Sequence, residues 1–415
     1  MRAYPLFDAA SPRLFGGAEV RAKFFAAELQ RRTGFDVTFL VAGEGQPATQ
    51  IIDDIAVVVD PTKPWLSERF FEEAYAGYLA ACEPRATFPY FRIRSWRPAL
   101  LWQIPVLAFH RIFYRRWASR AAYRPRQLSF YARHPADAYC LFHIDEITAD
   151  IIATCRRPGG PKTFLFLIHD IDVAPEPAED RDRLTPRTFA LRNADLIIAQ
   201  TQFQADLLRE NFQRTALVIR NPMTLEPLEA PQRERDVALW IGRAQPLTSF
   251  HKRPELLFDL ARLCPEVKFL AILNPDDPVC FEQLMQTRPD NVAVIKKVPF
   301  AEVDVIFQRA RVFVSTSGSE GFPNTFLQAG KHAVPIVSLT VDPEGMLSRH
   351  QGGSACGGDL KAMAAALRSL WSDPAANREQ GLNARAYVER FHDIQRSGDL
   401  LAAALRDLGQ WEARP

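Results

Sequence analysis

Cysteine is scarce in this sequence, and its spacing carries no motif. The six cysteines are scattered, and none has a second cysteine three positions later. Zinc sites and disulfide-stapled folds need paired or closely spaced cysteines, so this spacing argues against both. Free thiols in a reducing compartment are the simpler interpretation, and we therefore expect a cytoplasmic protein.

Long apolar runs and excess charge are also absent. No uninterrupted apolar segment reaches the roughly eighteen residues of a membrane-spanning helix, and the start, MRAYPLFDAASPRLFGG, lacks the apolar core of a signal peptide. The 51 basic and 49 acidic residues leave a formal net charge of +2. A chain so close to neutral has no global affinity for nucleic acid or membranes, so any such function must be local.

Acidic residues are missing from one long segment, Pro84 to Ala136, in which arginines are interleaved with aromatic residues. Its apolar run LLWQIPVLAF is followed by the cationic HRIFYRRW. Such a helix suits an anionic membrane surface, where it would bring the protein to a lipid-linked acceptor on the inner face of the membrane. The alternative is an insertion that packs its aromatic side chains internally and exposes its arginines. Nothing else in the sequence supports nucleic-acid binding.

The chain does contain a regular alternation of strands and helices. Its 415 residues exceed what one hydrophobic core normally serves, which predicts two domains. Apolar strands such as KFLAIL and NVAVIK alternate with helices from Val237 onward, and the first half is similar. This pattern predicts an α/β fold with two doubly wound, parallel-sheet domains. The proline-rich, charged segment Asn221 to Asp236 is the predicted boundary.

The most informative stretch runs from Val312 to Leu339. A short apolar strand leads into a loop rich in serine and glycine, and Pro323 then suits the first turn of a helix. Unpaired N–H groups at such a helix start bind phosphate or sugar oxygens, and the carboxylate of Glu320 beside them accepts hydrogen bonds from hydroxyls. The plain alternative is that Glu320 only caps the helix.

This stretch also carries a family resemblance. SEGFPNTFLQAGKHAVPIVSL resembles the donor-site segment of the retaining glycosyltransferases of family 4 (glycosyl transferases group 1). FGGAEVRAKFFAAELQRR, LRNADLIIAQTQFQADLLRENF with IRNP, and ALWIGRAQPLTSFHKRPELL resemble other family segments in the same order. The resemblance implies the GT-B fold, with two Rossmann-like domains facing across a cleft. It implies an acceptor-side domain at 1–225 with an insertion at about 61–135, a donor domain at 226–385, and a helix at 386–415 that packs back on the first domain.

The resemblance further implies the groups that hold the donor diphosphate. Arg243 and Lys252 match cations that clamp the phosphates, with Arg253 as the alternative to Lys252 because the loop is longer than is usual in the family. Gly16 and Gly17 match a glycine turn that lets the backbone of the first domain approach the phosphates.

Contacts to the sugar and nucleoside are implied in the same way. Glu320 and His169 are the predicted catalytic residues: Glu320 contacts the transferred sugar, while His169 either orients it or is a structural strand-end histidine. N–H groups at Gly321, Phe322, Asn324 and Thr325 are expected to hold sugar and phosphate.

Gln328 departs from the family pattern. The family usually has a second glutamate after seven intervening residues, which grips two ribose hydroxyls, and this chain has Gln328 at that position. An amide still donates and accepts hydrogen bonds but lacks the charge that strengthens them. Two interpretations stay open: a deoxyribose donor such as a thymidine-diphosphate sugar, or simple interchange of amide and carboxylate.

Neither a metal nor another cofactor is expected. Asp170 and Asp172 form an Asp-x-Asp pair, but such pairs recur by chance, and the arginine and lysine implied above would neutralise the phosphate charge instead. His143, Asp145 and Glu146 are interpreted as ending a strand and capping a helix from Ile147 to Cys155.

These features predict an enzyme that transfers a hexose or deoxyhexose, with retention, from a nucleotide diphosphate sugar to a glycan or lipid-linked acceptor in cell-surface polysaccharide synthesis. A nucleotide-sugar-binding protein without turnover is the first alternative, suggested by Gln328 and by Asn274, where relatives usually have glycine. A different GT-B enzyme, such as a nucleotide-sugar epimerase, is the second.

Overall fold

The computed structural model describes residues 17–42, 47–60, 74, 77–78, 81–84, 91–117, 131, 133–175, 184–228, 235–244, 252–275, 277–298 and 300–407. Gly16 lies outside these residues, as does much of the predicted insertion.

The described chain alternates strands and helices. The strands are β1 (Thr38–Ala42), β2 (Thr49–Ile52), β3 (Ile55–Asp60), β4 (Cys82–Pro84), β5 (Phe91–Ile93), β6 (Ala138–Leu141), β7 (Lys162–Phe166), β8 (Leu196–Ala199), β9 (Leu217–Val218), β10 (Val237–Arg243), β11 (Phe269–Asn274), β12 (Val292–Ile295), β13 (Ala310–Ser315), β14 (Ile336–Ser338) and β15 (Gly353–Ala355). The α-helices are α1 (Gly17–Gln30), α2 (Leu100–Trp117), α3 (Glu146–Cys155), α4 (Pro186–Asn193), α5 (Gln202–Phe212), α6 (Pro254–Leu263), α7 (Pro278–Gln286), α8 (Phe300–Phe307), α9 (Asn324–Lys331), α10 (Leu360–Ser372), α11 (Pro374–Phe391) and α12 (Ile394–Arg406).

The first domain holds the strands up to β9. Four of them form a parallel set in the order β6-β7-β8-β9, and β1 pairs in parallel with β3. All four residues of β8 are buried, as expected for a strand covered on both faces. Two pairs differ from the predicted all-parallel pattern. Strand β2 is antiparallel to β3 because the chain reverses tightly after Ile52 and pairs it with Ile55, and β4 is antiparallel to β5.

The second domain is a six-stranded parallel sheet with the order β12-β11-β10-β13-β14-β15. The chain winds outward from β10 in one direction and then from β13 in the other, which is the doubly wound arrangement. Ligands bind such sheets at the carboxyl ends of the strands where the order reverses. That point lies between the ends of β10 and β13, at Arg243 and Ser315.

The C-terminal helix returns to the first domain. Helix α11 stays with the second domain to Phe391, the chain turns at His392 and Asp393, and α12 packs on α1. Arg32, two residues past the end of α1, pairs with Asp399 at 2.9 Å, and a Cβ at Gly398 would lie only 2.4 Å from the Glu28 side chain. A side chain at this position would therefore separate the two helices.

Among the described residues, no helix is both long and apolar enough to cross a membrane. Helix α2, which contains the apolar run Leu100 to Phe109, carries Pro105 in its interior.

Candidate active site

Glu320 and Lys252 form an ion pair where the second sheet reverses its order. The Lys252 Nζ lies 2.6 Å from the Glu320 Oε1, and the two side chains are 26% and 15% exposed. Burial alone would raise the pKa of Glu320, but Lys252, with Ser317 and His169, more than offsets this, and the pKa lies below its usual range. Glu320 is therefore a carboxylate at neutral pH. The N-cap residue of α9 is Pro323, which makes no side-chain cap hydrogen bond, and the sugar-contact and capping roles of Glu320 both stay predictions.

The local fold fixes Lys252 beside Glu320. Thr316, just past β13, accepts a hydrogen bond from the Trp240 indole at 3.0 Å, and its hydroxyl lies 2.6 Å from the Lys252 carbonyl, to which it donates. Arg253 adopts a left-handed backbone and donates its Nε to the Thr316 carbonyl at 2.7 Å. Arg253 also reaches Thr340, so the structure uses this guanidinium to join loops and gives Lys252 the position beside Glu320.

Arg243 and Asn274 are neighbours at the carboxyl ends of β10 and β11, where they are paired in register. The backbone continues this contact, since the Ala244 N–H donates to the Asn274 carbonyl at 2.7 Å. Arg243 thus lies on the edge of the sheet that carries the Lys252–Glu320 pair, and its role as a phosphate clamp stays a prediction.

His169, in the first domain, forms a hydrogen bond with Ser319, the residue before Glu320. Its Nδ1 accepts the Ile171 N–H at 3.1 Å, so the ring proton is on Nε2, which donates to the Ser319 carbonyl at 3.2 Å. In this arrangement His169 has no free basic nitrogen, which supports an orienting role over that of a base.

Asp170 and Asp172 stabilise the turn that follows His169. The Asp172 carboxylate accepts the N–H groups of Ile168 at 2.7 Å and His169 at 2.9 Å, and burial nevertheless raises its pKa. Asp170 accepts from the Gln204 amide at 3.1 Å. Within the described residues, no group of three or more His, Cys, Asp or Glu is placed to hold a metal ion.

The start of α9 faces the start of α1. The Asn324 amide donates to the Gly17 carbonyl at 3.0 Å, so the second residue of the predicted glycine turn lies next to residues 316–323, the loop between β13 and α9 that is the predicted donor loop. Arg21 fixes α1 at this place by donating to the carbonyls of Leu167 and Ile219, each at 2.8 Å. Burial lowers the pKa of Arg21 to about 9.

The loop N–H groups do not all face an open site. Asn324 and Thr325 begin α9 and have no acceptor within their own helix. The expectation for Phe322 needs correction, because its N–H donates to the Gln200 Oε1 at 3.1 Å and is not available to a phosphate in this conformation. Gly321 packs against the first domain, with no space for a Cβ.

Gln328 is buried on α9, with only 6% of its surface exposed. Within the described residues its side-chain amide makes no hydrogen bond. A ligand hydroxyl that reached this amide would find both a donor and an acceptor, and a role for Gln328 at the ribose stays a prediction.

Some residues of the cleft carried no signal in the sequence. Gln200 and Asn221 are buried amides that contact the donor loop, and Glu19, just after the glycine turn, lies 3.5 Å from His143. Asp145, by contrast, caps α3 as predicted by accepting the Thr148 N–H at 2.7 Å. Neutral amides in ordinary helical or loop sequence resemble many others, whereas caps have a recognisable spacing.

Comparison with known proteins agrees with this architecture. Residues 236–373 match the family described as Glycosyl transferases group 1. Among curated proteins, Glycosyltransferase 1 domain-containing protein 1 of Xenopus tropicalis is 23% identical over 143 residues, a match that spans 34% of this chain and 41% of the relative. The chain thus spans less than half of that relative's length.

Solved structures show the same fold over nearly the whole chain. A sucrose-phosphate synthase from Thermosynechococcus elongatus superposes with a TM-score of 0.66 at 16% identity, covering 95% of this chain and 94% of that one. Anabaena HepE in complex with UDP and glucose gives a TM-score of 0.62 at 14% identity, covering 97% and 98%. The predicted GT-B fold and the resemblance to glycosyl transferases group 1 are confirmed.

Proposed function

We propose that this protein is a retaining glycosyltransferase that uses a nucleotide diphosphate sugar. The observation that carries the proposal is the Lys252–Glu320 ion pair, which places a cation and a carboxylate side by side where the donor sheet reverses its order. The fold and the family match support a nucleotide-sugar glycosyltransferase. Hexose or deoxyhexose transfer with retention, in cell-surface polysaccharide synthesis, is the finer part of the proposal.

In the proposed reaction the second domain binds the donor. Arg243, Lys252 and the open N–H groups of Asn324 and Thr325 stabilise the diphosphate as negative charge develops on it. Glu320 accepts hydrogen bonds from the sugar hydroxyls. The bond from the anomeric carbon to the phosphate oxygen breaks, and a bond to the acceptor oxygen forms on the same face. The acceptor proton passes to the departing diphosphate, and no metal or other cofactor takes part.

The choice of nucleotide is the second part of the donor proposal. The neutral amide of Gln328 can form a hydrogen bond with one ribose hydroxyl. Two hydroxyls are bound more strongly by a carboxylate, which accepts charge-assisted hydrogen bonds from both. A thymidine diphosphate sugar and a uridine diphosphate sugar are the two donors to compare. Gln328→Glu should favour the ribose form if the position reads the 2′-hydroxyl.

A binding protein without turnover is the competing function. The observations that favour it are Gln328 and the side chain of Asn274 at a strand end where relatives usually have glycine. A nucleotide-sugar epimerase on the same fold would consume the donor with no acceptor present. Product analysis with and without acceptor separates all three.

A thermal-shift screen with uridine, guanosine, adenosine and thymidine diphosphates tests donor binding, because a ligand stabilises the folded state by an amount set by its concentration over its Kd. We expect at least one nucleotide to raise the Tm, and Arg243→Ala to abolish that rise. Arg262→Ala, an exposed arginine on α6, is the matched control and should keep it. An unchanged shift in Arg243→Ala would remove Arg243 from the site.

The acceptor is proposed to be lipid-linked and approached at an anionic membrane surface. Trp96, Leu101 and Trp102 expose 64%, 68% and 41% of their surface, and Arg94 and Arg97 beside them are exposed as well. Two exposed tryptophans with arginines and without any acidic residue fit the interface of a negatively charged bilayer. The exposure of both tryptophans disfavours an insertion that packs its aromatic residues internally.

Vesicle sedimentation tests this surface. The protein should bind vesicles containing phosphatidylglycerol and not vesicles of phosphatidylcholine alone. Trp96→Ser with Trp102→Ser should weaken binding by about tenfold or more. Phe203→Ser with Val279→Ser is the matched control, since these side chains are 58% and 66% exposed elsewhere. Equal binding by both double variants would contradict the proposal.

A further inference from the structure

The side chain of Gln200 joins the first domain to Phe322, two residues after Glu320. It follows β8 and is buried, with 3% of its surface exposed. Its Nε2 donates to the carbonyls of Leu167 at 2.9 Å and Ile168 at 2.7 Å. Its Oε1 accepts from the Asn221 amide and from the Phe322 N–H, both at 3.1 Å. All four hydrogen-bonding positions of the amide are therefore occupied.

These partners leave the amide one orientation. Reversed, its NH₂ would face two donors, Asn221 and Phe322, and its oxygen would face two carbonyls. The reversed amide would leave buried groups unpaired. The Gln200 Oε1, which accepts the Phe322 N–H, is therefore held in place by the Leu167 and Ile168 carbonyls just past β7.

The loop around Gly321 also packs so tightly against the first domain that no side chain fits there. A Cβ at Gly321 would lie 2.7 Å from the Gln204 Nε2 and 2.9 Å from the Ile168 carbonyl oxygen. On the other side of Glu320, the Ser319 carbonyl accepts from His169. Glu320 is thus flanked before and after by contacts to the first domain, while its own charge is paired within the second.

We infer that Gln200 is a positioning residue for Glu320. Lys252 keeps the carboxylate ionised, and Gln200 determines where it lies when the two domains are together. The catalytic consequence rests on the proposed function, since it assumes that Glu320 contacts the transferred sugar. Displacement of a reacting group by about 1 Å can lower the rate about a hundredfold, so one lost hydrogen bond next to Glu320 is sufficient to affect turnover.

Gln200→Met tests the inference, because methionine has a similar length and no hydrogen-bonding amide. We expect kcat to fall about tenfold or more while the Kd of the nucleoside diphosphate, bound by the second domain, changes less than about threefold. Hydrogen exchange of the peptide that contains Phe322 should accelerate, because its N–H loses its acceptor.

Asn377→Leu is the matched control. Its amide is buried and donates to the carbonyls of Arg311 at 3.0 Å and Leu370 at 3.2 Å, both within the second domain. This variant should lose stability but keep the wild-type kcat and the exchange rate at Phe322. A purely structural role for Gln200 would give the same result in both variants.

Gly321→Ala provides the second variant, and it decides the matter if Gln200→Met fails to fold. The added methyl should push the loop from the first domain and give the same loss of kcat with faster exchange at Phe322. Wild-type kcat or unchanged exchange in the folded variant would overturn the inference. Absence of turnover in the wild type would instead contradict the proposed function, and the exchange result would still decide whether Gln200 positions the loop.

Discussion

The two faces of the cleft hold their polar side chains by different means. In the second domain, Glu320 is kept ionised by Lys252 at 2.6 Å, and Arg243 stands at the neighbouring strand end. Opposite them, the first domain presents Gln200, bonded on every side, and His169, whose two ring nitrogens are both engaged. Charge serves the donor side, and the contacts across the domains beside Glu320 are neutral hydrogen bonds, whereas further away Arg220 and Glu344 form an ion pair between the domains.

This difference follows from what each face has to do. A diphosphate needs cations, and a carboxylate beside them must stay ionised to accept sugar hydroxyls. Beside Glu320 the contact between the domains is made from neutral groups, and leaving a buried charge unpaired there whenever the domains separate would be far more costly than leaving an amide exposed to water. Perturbing the two faces should therefore produce effects of different size and different pH dependence.

Lys252→Met should give the largest loss of stability. It leaves the carboxylate of Glu320 mostly buried without its cation, and we expect the free energy of unfolding at pH 7 to fall by about 2 to 3 kcal/mol, measured by urea denaturation. Adding Glu320→Gln should restore most of the loss, because a neutral amide needs no cation.

The same variant should reverse the pH dependence of the pair. In the wild type the folded pKa of Glu320 is depressed, so its stabilisation is present above the usual glutamate pKa and is lost as the pH falls through the folded pKa. Without Lys252, burial dominates and raises the pKa, so stability should increase as the pH falls toward it. The same sign of slope in wild type and variant would contradict the assignment.

Protonation of His392 should give the next largest loss of stability. Here the buried group is kept neutral, whereas Glu320 is kept charged. It is buried between the domains, its Nδ1 donates to the Asn221 carbonyl at 2.8 Å, and burial, assisted by Arg220, lowers its pKa to about 3. In the unfolded chain His392 binds a proton near pH 6.5, whereas in the folded chain it stays neutral down to its lowered pKa of about 3. Stability is therefore lost as the pH falls from about 6.5 toward 3.

From pH 7 to pH 5 we expect a loss of about 2 kcal/mol from His392, measured by urea denaturation. His392→Gln should flatten this slope. A slope of wild-type size in the variant would assign the pH dependence to other groups.

Asn324→Ala should have the smallest effect. It removes one neutral bond to the Gly17 carbonyl and the acceptor of one bond from Asn221, and we expect a cost of about 1 kcal/mol with no change in pH dependence. Asn383→Ala, whose amide makes a 3.4 Å exposed contact, is the control and should be neutral. A loss as large as that of Lys252→Met would contradict the distinction between the two faces.

The charged face could be predicted from sequence, and the neutral face could not. Glu320, Arg243 and Lys252 stand at strand ends and loop positions whose pattern is specific, and the alternation of strands and helices predicted both sheets. Gln200 lies just before α5 in the segment AQTQFQADLL, whose pattern is that of an ordinary helix start. Its role depends on Phe322, which is 122 positions away in the sequence.

The same reason explains the error at Phe322. Local geometry predicted a free N–H at a helix start, but the acceptor comes from the other domain. The antiparallel strands β2, β4 and β5 were missed because short strands paired in hairpins have little pattern of their own.

The most direct test of the account is turnover by wild type and Glu320→Gln with a donor that the wild type binds. Release of nucleoside diphosphate in the presence of acceptor should fall by about a hundredfold or more in kcat in the variant, while nucleotide affinity changes less than about threefold. Wild-type turnover by Glu320→Gln, or a wild type that binds nucleotide and transfers no sugar across a broad panel of donors and acceptors, would contradict it.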